Sequence, residues 1–193
     1  MKFIIGIISY FPDDEEIRSE RKTLCFNLVE KCKEVFVDVP IMIVAQNWRD
    51  ETIEGATIYK HEKLGIYNAR NKLKEYFLNS EYDFLIMLDD DCILTGDSID
   101  GQMYKKQASL HPDKIGYFVG RFLKLLCMPK EVYRQIPDFE DVEYSDEKTL
   151  IDYTQANGAY AFTYPYTIRH DGLLNSGATS TRVQASDPRL SYI

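Results

Sequence analysis

The chain is poor in the features that would place it outside the ordinary globular class. Its 193 residues hold four cysteines, three histidines and one tryptophan. Cys25, Cys32, Cys92 and Cys127 form no C-x-x-C pair and no Cys/His cluster with zinc spacing, which excludes a structural zinc module. The chain begins without a signal-peptide pattern, so reduced thiols and a cytoplasmic protein are expected. No apolar run approaches the ~18 residues of a membrane span. Basic residues are outnumbered, 23 against 31 acids, for a net charge of -8. That balance argues against broad attraction to nucleic acid. Internal repeats, low-complexity tracts and linkers are also missing, and the length fits a single domain with a proper core.

What is present centres on Phe84-Leu85-Ile86-Met87-Leu88-Asp89-Asp90-Asp91-Cys92. Five apolar residues in a row read as a strand buried on both faces, as in parallel sheets. The run ends in three carboxylates, and ligands of open parallel sheets bind beyond the carboxyl ends of the strands. Alternation sends Asp89 and Asp91 to one side and Asp90 to the other. Two hard oxygen ligands suit Mg2+ or Mn2+ held against a diphosphate. Solvated acids capping a strand are the plainer alternative.

Upstream, Phe3 to Ile8 reads as a first strand, leaving through Ser9-Tyr10-Phe11-Pro12. Asp13 with Glu16 resembles a capping box and predicts a helix to about Phe36. Its apolar face is Leu24, Cys25, Leu28, Val29, Cys32 and Phe36, with Arg18, Arg21, Lys22 and Glu30 mostly elsewhere. Ile41 to Ala45 is a second strand running into Gln46, Asn47 and Trp48, and Ala56 to Lys60 a shorter third. Gly65 opens a helix with Ile66, Ala69, Leu73, Tyr76 and Phe77 on one face and Asn68, Arg70 and Asn71 in its first turns. A helix amino end with an arginine can hold phosphate oxygens; a surface arginine paired with Glu75 is the alternative. Strand and helix alternate, which predicts an α/β protein.

Ser9-Tyr10, Gly65 with Ala69-Arg70-Asn71, and Leu88-Asp89-Asp90-Asp91, in that order, resemble the nucleotide-sugar half of family 2 glycosyltransferases. The resemblance implies the GT-A fold: a mostly parallel, Rossmann-like central sheet flanked by helices, typical of nucleotide-diphospho-sugar transferases. It covers roughly residues 2 to 172. It implies a single domain over 1–193, with a nucleotide-sugar half to about residue 92, an acceptor and catalytic half over 93–172, and a tail or lid over 173–193. Carried over, Ser9, Tyr10 and Gln46 meet the nucleoside, Arg70 the diphosphate, Asp89 the ribose side, Asp90 the nucleotide sugar, and Asp91 with Asp89 the metal, Mn2+ or Mg2+. Asp146-Glu147-Lys148-Thr149-Leu150 resembles the E-D-x-x-L segment that supplies the general base of inverting members. The acids are reversed here, and distance to Leu150 places Glu147 at the base position with Asp146 as substitute. First-turn acids at a helix start are the alternative for both. His170 resembles the histidine that completes the metal site in several members.

Ile115 to Val119 and Ala159 to Tyr164 read as later strands, Leu125 to Tyr133 as a strand-to-helix step, and Gly172, Ser176, Gly177, Ser180 and Thr181 as a loop able to close over the donor. Tyr117, Tyr133, Tyr153, Tyr160, Tyr164 and Tyr166 offer aromatic faces for sugars, although most such residues pack. The chain departs from the family in having Gln46-Asn47 where an acid usually follows the second strand. It also lacks the Q-x-x-R-W motif of processive synthases.

The resemblance thus implies an inverting, metal-dependent transfer of sugar from a nucleotide-diphosphate donor, a UDP-sugar first, to a glycan, lipid-linked or other hydroxyl acceptor. Rival functions are a nucleotide-sugar hydrolase or nucleotidyltransferase, a non-catalytic nucleotide-sugar or carbohydrate-binding module, and a DNA-base glycosyltransferase. The net charge ranks the last below glycan transfer, and the absence of a glycine-rich loop after the first strand ranks nucleotidyl transfer lower.

Overall fold

A computed structural model describes residues 1–95, 101–118, 125–162 and 167–170. In chain order these residues form β1 (Phe3–Tyr10), α1 (Glu15–Val35), β2 (Ile41–Gln46), β3 (Ala56–His61), α2 (Ile66–Leu78), β4 (Phe84–Asp89) and β5 (Cys92–Thr95). There follow α3 (Gly101–Ser109), β6 (Ile115–Phe118), β7 (Leu126–Pro129), α4 (Lys130–Gln135), α5 (Ser145–Asn157), β8 (Ala159–Phe162) and β9 (Thr167–His170). Seven strands make one sheet in the order β3-β2-β1-β4-β7-β6-β8, and β5 pairs with β9 in a separate ribbon.

Strands β1 to β4 are parallel neighbours, with Ile8 opposite Asp89 and Tyr10 opposite Gln46. Their carboxyl ends therefore share one edge of the sheet. β7 runs against both β4 and β6, which makes the sheet mostly rather than wholly parallel. It ends in Pro129, whose missing N–H suits a strand end passing straight into α4.

Runs such as Phe-Ile-Ile-Gly-Ile-Ile are apolar throughout because helices cover both faces of the sheet. On one face Ile5, Ile7, Ile43, Ile86 and Leu88 meet Cys25, Leu28, Val29 and Cys32 of α1. On the other, Ile4, Ile8, Met42, Val44, Leu85 and Met87 meet Ala69, Leu73 and Phe77 of α2, with Val132 and Leu150 of α4 and α5. Gly6 lets α2 come close: a Cβ there would stand 2.6 Å from Leu85 Cδ1 and 2.7 Å from Leu73 Cδ1.

The helix read as starting on Asp13 is capped by Asp14 instead. Asp14 has extended backbone, and its Oδ1 accepts from the N–H groups of Glu16 and Ile17, both at 3.1 Å. Asp13 is used elsewhere, accepting from Asn47 Nδ2 at 2.9 Å. The buried stripe of α1 also starts earlier than its apolar residues suggest, running Arg18, Arg21, Cys25, Leu28, Val29 and Cys32, while Leu24 is only half-buried. β5, α3 and β9 had no counterpart in the sequence reading. β5 follows so closely on the acidic stretch that it reads as the tail of the same strand, and Thr-Ile-Arg-His of β9 has no apolar pattern.

Two outcomes follow from this packing. Gly6→Ala should destabilise by about 1–3 kcal/mol through overpacking, read as a lower urea midpoint at unchanged slope. All four cysteines are buried and unbridged, and burial pushes the thiols of Cys32 and Cys127 up to about 12. A thiol-reactive aromatic disulfide at pH 8 should therefore label none rapidly in native protein and all four in denaturant.

Candidate active site

The acidic sequence closes the middle of the sheet. β4 keeps its alternation through Asp89, which projects toward α2, where Arg70 NH2 lies 3.0 Å from its Oδ1. Asp90 projects toward α1 and is held from three directions. Ser9 Oγ donates to it at 2.7 Å, the Tyr10 N–H at 3.2 Å and Arg21 NH2 at 2.8 Å. The strand stops at Asp89 and the chain turns through Asp90 and Asp91. Asp91 consequently does not return to the side of Asp89: one of its oxygens lies 3.9 Å from Arg21 NH1. The expectation that Asp89 and Asp91 share a side assumed that the strand continued. Burial raises the Asp90 carboxyl to about 6 despite the Arg21 guanidinium beside it.

Arg70 is neither a surface residue nor a partner of Glu75, which pairs with Lys72. It is 1% exposed, with NH2 on Asp89, Nε 2.7 Å from Asp146 Oδ2 and NH1 3.6 Å from the sulfur of Met87. Burial works against the charge, but the two carboxylates outweigh it and hold the guanidinium ionised. Asp146, in the first turn of α5, is fully buried, and its Oδ1 accepts from the Glu147 N–H at 2.9 Å. Of the two candidate bases, then, Asp146 joins the buried ion cluster and Glu147 stands half-buried beside it.

The ends of β1 and β2 form the adjoining floor. Ser9 is buried and accepts from Trp48 Nε1 at 3.2 Å, and Trp48 stacks on Phe11. Gln46 is buried too, its Oε1 accepting from the Leu64 N–H at 2.9 Å. Asn47, at φ 56°, donates to the Phe11 carbonyl and to Asp13. These amides tie together the loops that follow β1, β2 and β3 at the carboxyl edge of the sheet. The half-buried Tyr10 ring carries the Lys63 ammonium 5.3 Å from its centroid. Arg21 and Lys63 were not foreseen. The spacing 18, 21, 25, 28, 32 would have found Arg21, because it extends the buried helical stripe. No comparable signal marks Lys63.

The ribbon of β5 and β9 sets Cys92 opposite His170, which puts the backbone of His170 beside the residue that follows Asp91. The side chain of His170, the proposed lid from Gly172 to Thr181, and Tyr164 and Tyr166 lie outside the described residues. Among the described residues no three His, Cys, Asp or Glu side chains group as a metal site. Tyr133 and Tyr160 are buried, and Tyr117 and Tyr153 pack against the core beside α2. These four tyrosines serve packing.

Arg21 and Asp90 are both nearly buried, at 10% and 4% side-chain exposure. Arg21→Met should cost about 3–5 kcal/mol by stranding the carboxylate, and adding Asp90→Asn should recover a large part of that loss in urea unfolding.

No protein-family model matches the sequence, and no curated protein matches it. Solved structures do. UTP-bound UGPase from Acinetobacter baumannii aligns over 94% of this chain and 93% of its own, at TM-score 0.59 and 10% identity. TarS from S. aureus in complex with UDP aligns over 86% of this chain and 59% of its own, at TM-score 0.58 and 11% identity. The glycosyltransferase GlyE of Streptococcus pneumoniae TIGR4 aligns over 84% of this chain and 45% of its own, at TM-score 0.54 and 13% identity. The chain therefore has the α/β fold of the nucleotide-diphospho-sugar transferases, a mostly parallel sheet flanked by helices.

Proposed function

We propose that this chain is a glycosyltransferase that moves a sugar from a nucleotide-diphosphate donor to a hydroxyl acceptor, with inversion. The fold also serves nucleotidyl transfer, so the reading rests on one observation: the distribution of acids at the helix starts. The turn after β1 has no glycine, and α1 begins with its own cap, Asp14, followed by Glu15 and Glu16. Acids there satisfy the free N–H groups and repel a triphosphate. α2 begins on Gly65 with no side-chain cap and no acid in its first turn. Phosphate is thus disfavoured beside β1 and α1, whereas the start of α2 adds no acid, so a diphosphate leaving group would lie between α2 and the acidic turn with a divalent cation offsetting the carboxylates.

In this reading Tyr10, with Lys63 above its ring, bounds the base, and Asp89 faces the ribose. The donor chemistry suits Mn2+ or Mg2+, which needs only one or two carboxylates beside phosphate oxygens and water. Asp91 would hold the cation, with His170, whose strand pairs with β5, as a second candidate ligand, and the cation would stabilise charge on the departing diphosphate. Glu147 takes the proton of the acceptor hydroxyl from the face opposite the leaving group. A UDP-sugar is the first choice of donor, and a glycan or lipid-linked saccharide the first choice of acceptor.

Calorimetric titration with UDP-, GDP-, CMP- and dTDP-sugars, each with Mn2+ and with chelator, tests the reading. One donor should bind, and only with metal. Failure of every donor to bind folded protein, or pyrophosphate release from a nucleoside triphosphate and a sugar phosphate, would overturn it. Asp91→Asn should weaken metal-dependent donor binding by about tenfold or more, because an amide is a poorer ligand for a hard cation. Glu147→Gln should keep donor affinity and lower turnover by about 10²- to 10⁴-fold, the range for a lost general base.

A further inference from the structure

Tyr67, Arg70, Asn71 and Lys74 recur on α2 at helical spacing, so they line one face. That face is polar, yet Tyr67, Arg70 and Lys74 are buried and Asn71 is half-buried. Buried polar groups persist where they are satisfied, and here all four contact a single stretch, residues 136–146, leading into α5. Lys74 Nζ donates to the Ile136 carbonyl at 2.6 Å and to Asp138 at 2.7 Å. Asn71 accepts from the Phe139 N–H and donates to its carbonyl, both at 2.8 Å. The Tyr67 hydroxyl accepts from the Tyr144 N–H at 2.7 Å, and Arg70 Nε meets Asp146 at 2.7 Å.

α5 has no side-chain N-cap of its own. Tyr144, at its N-cap, stands at φ 62° and ψ 15° and makes no capping bond with its side chain. A bulky residue keeps that left-handed conformation only where its surroundings impose it. Within the loop Ser145 Oγ accepts from the Glu140 N–H and the Ser145 N–H donates to the Val142 carbonyl, and from α2 the Tyr67 hydroxyl takes the N–H of Tyr144 itself.

Resting on the proposed transfer with Glu147 as base, we infer that the stripe Tyr67, Arg70, Asn71 and Lys74 is a positioning rack that fixes the first turn of α5, and with it Glu147, relative to the acidic turn of β4. Arg70 is the shared element, because it touches Asp89 and Asp146 at once. Arg70 and Asp146 are then positioning residues. The guanidinium is spent on two carboxylates and a sulfur, away from solvent, and does not contact the diphosphate. Asp146, fully buried against it, does not take the acceptor's proton.

Asn71→Ala removes two backbone contacts and leaves the ion cluster intact. Turnover should fall about 10- to 100-fold, the order expected from a small misplacement of a reacting group, with donor Kd changed less than about threefold. Asp146→Asn should show the same split and keep the acid limb of the pH profile of kcat. Arg70→Lys should retain more turnover than Arg70→Gln. A loss of nucleotide-diphosphate affinity above about tenfold in Arg70→Gln, with kcat at saturation kept, would make Arg70 a donor ligand and overturn the proposal. So would disappearance of the acid limb in Asp146→Asn while Glu147→Gln retains it. Hydrogen exchange of donor-free protein separates this from failure of the functional reading. Amides 144–149 should exchange about tenfold faster in Asn71→Ala and Arg70→Lys, with β1 and β2 unchanged. Unchanged exchange at 144–149 would refute the rack whether or not any donor binds, and absence of donor binding by wild-type protein would sink the transferase reading alone.

Discussion

Three consecutive carboxylates at the end of a strand buried on both faces need cations supplied from within the protein, and the structure is arranged around meeting that need. α1 brings Arg21 to Asp90 and toward Asp91, and α2 brings Arg70 to Asp89. Such buried pairs return little net stability, because desolvating both charges offsets most of their attraction. They are costly to break and demanding in geometry. The helices on the two faces are thereby held at fixed places against the same turn, one guanidinium on each side.

That arrangement separates two kinds of charge along the edge of the sheet. The start of α1 is occupied by acids and its own cap, and the first turn of α5 by Asp146 and Glu147, whereas α2 opens without an acid. An anionic ligand meets acids at the starts of α1 and α5 and none at the start of α2. The acidic end of β4 is tied to α2 through Arg70. In the proposed transfer α2 bounds the donor side with its first turn, and its polar stripe holds the segment carrying the proposed base. Both sides of that proposed reaction are then registered against one helix.

Strong local patterns in the chain corresponded closely to the structure. The apolar runs at 3–8, 41–45 and 84–88 became β1, β2 and β4, and the helical patterns after Pro12 and Gly65 became α1 and α2. The misreadings share a cause. Asp13 and Asp14 are equivalent by type, and only the backbone course decided which one reached the N–H groups of Glu16 and Ile17. Arg18 and Arg21 were set apart from the buried face because charge normally means solvent; their partners, Glu51 and Asp90, are 33 and 69 residues away. Asp91 was assigned by strand alternation that ends two residues earlier.

By itself the sequence determined the α/β class, the central acidic strand and the residues that end at the carboxyl edge of the sheet, because burial on two faces and helical spacing leave local, periodic signatures. Tertiary structure alone decided which carboxylate meets which arginine, that Arg70 is enclosed between Asp89 and Asp146, and that Asp146 enters the ion cluster while Glu147 stands beside it. Those outcomes depend on contacts between residues far apart in the chain and on where a strand stops, and neither has a periodicity to read.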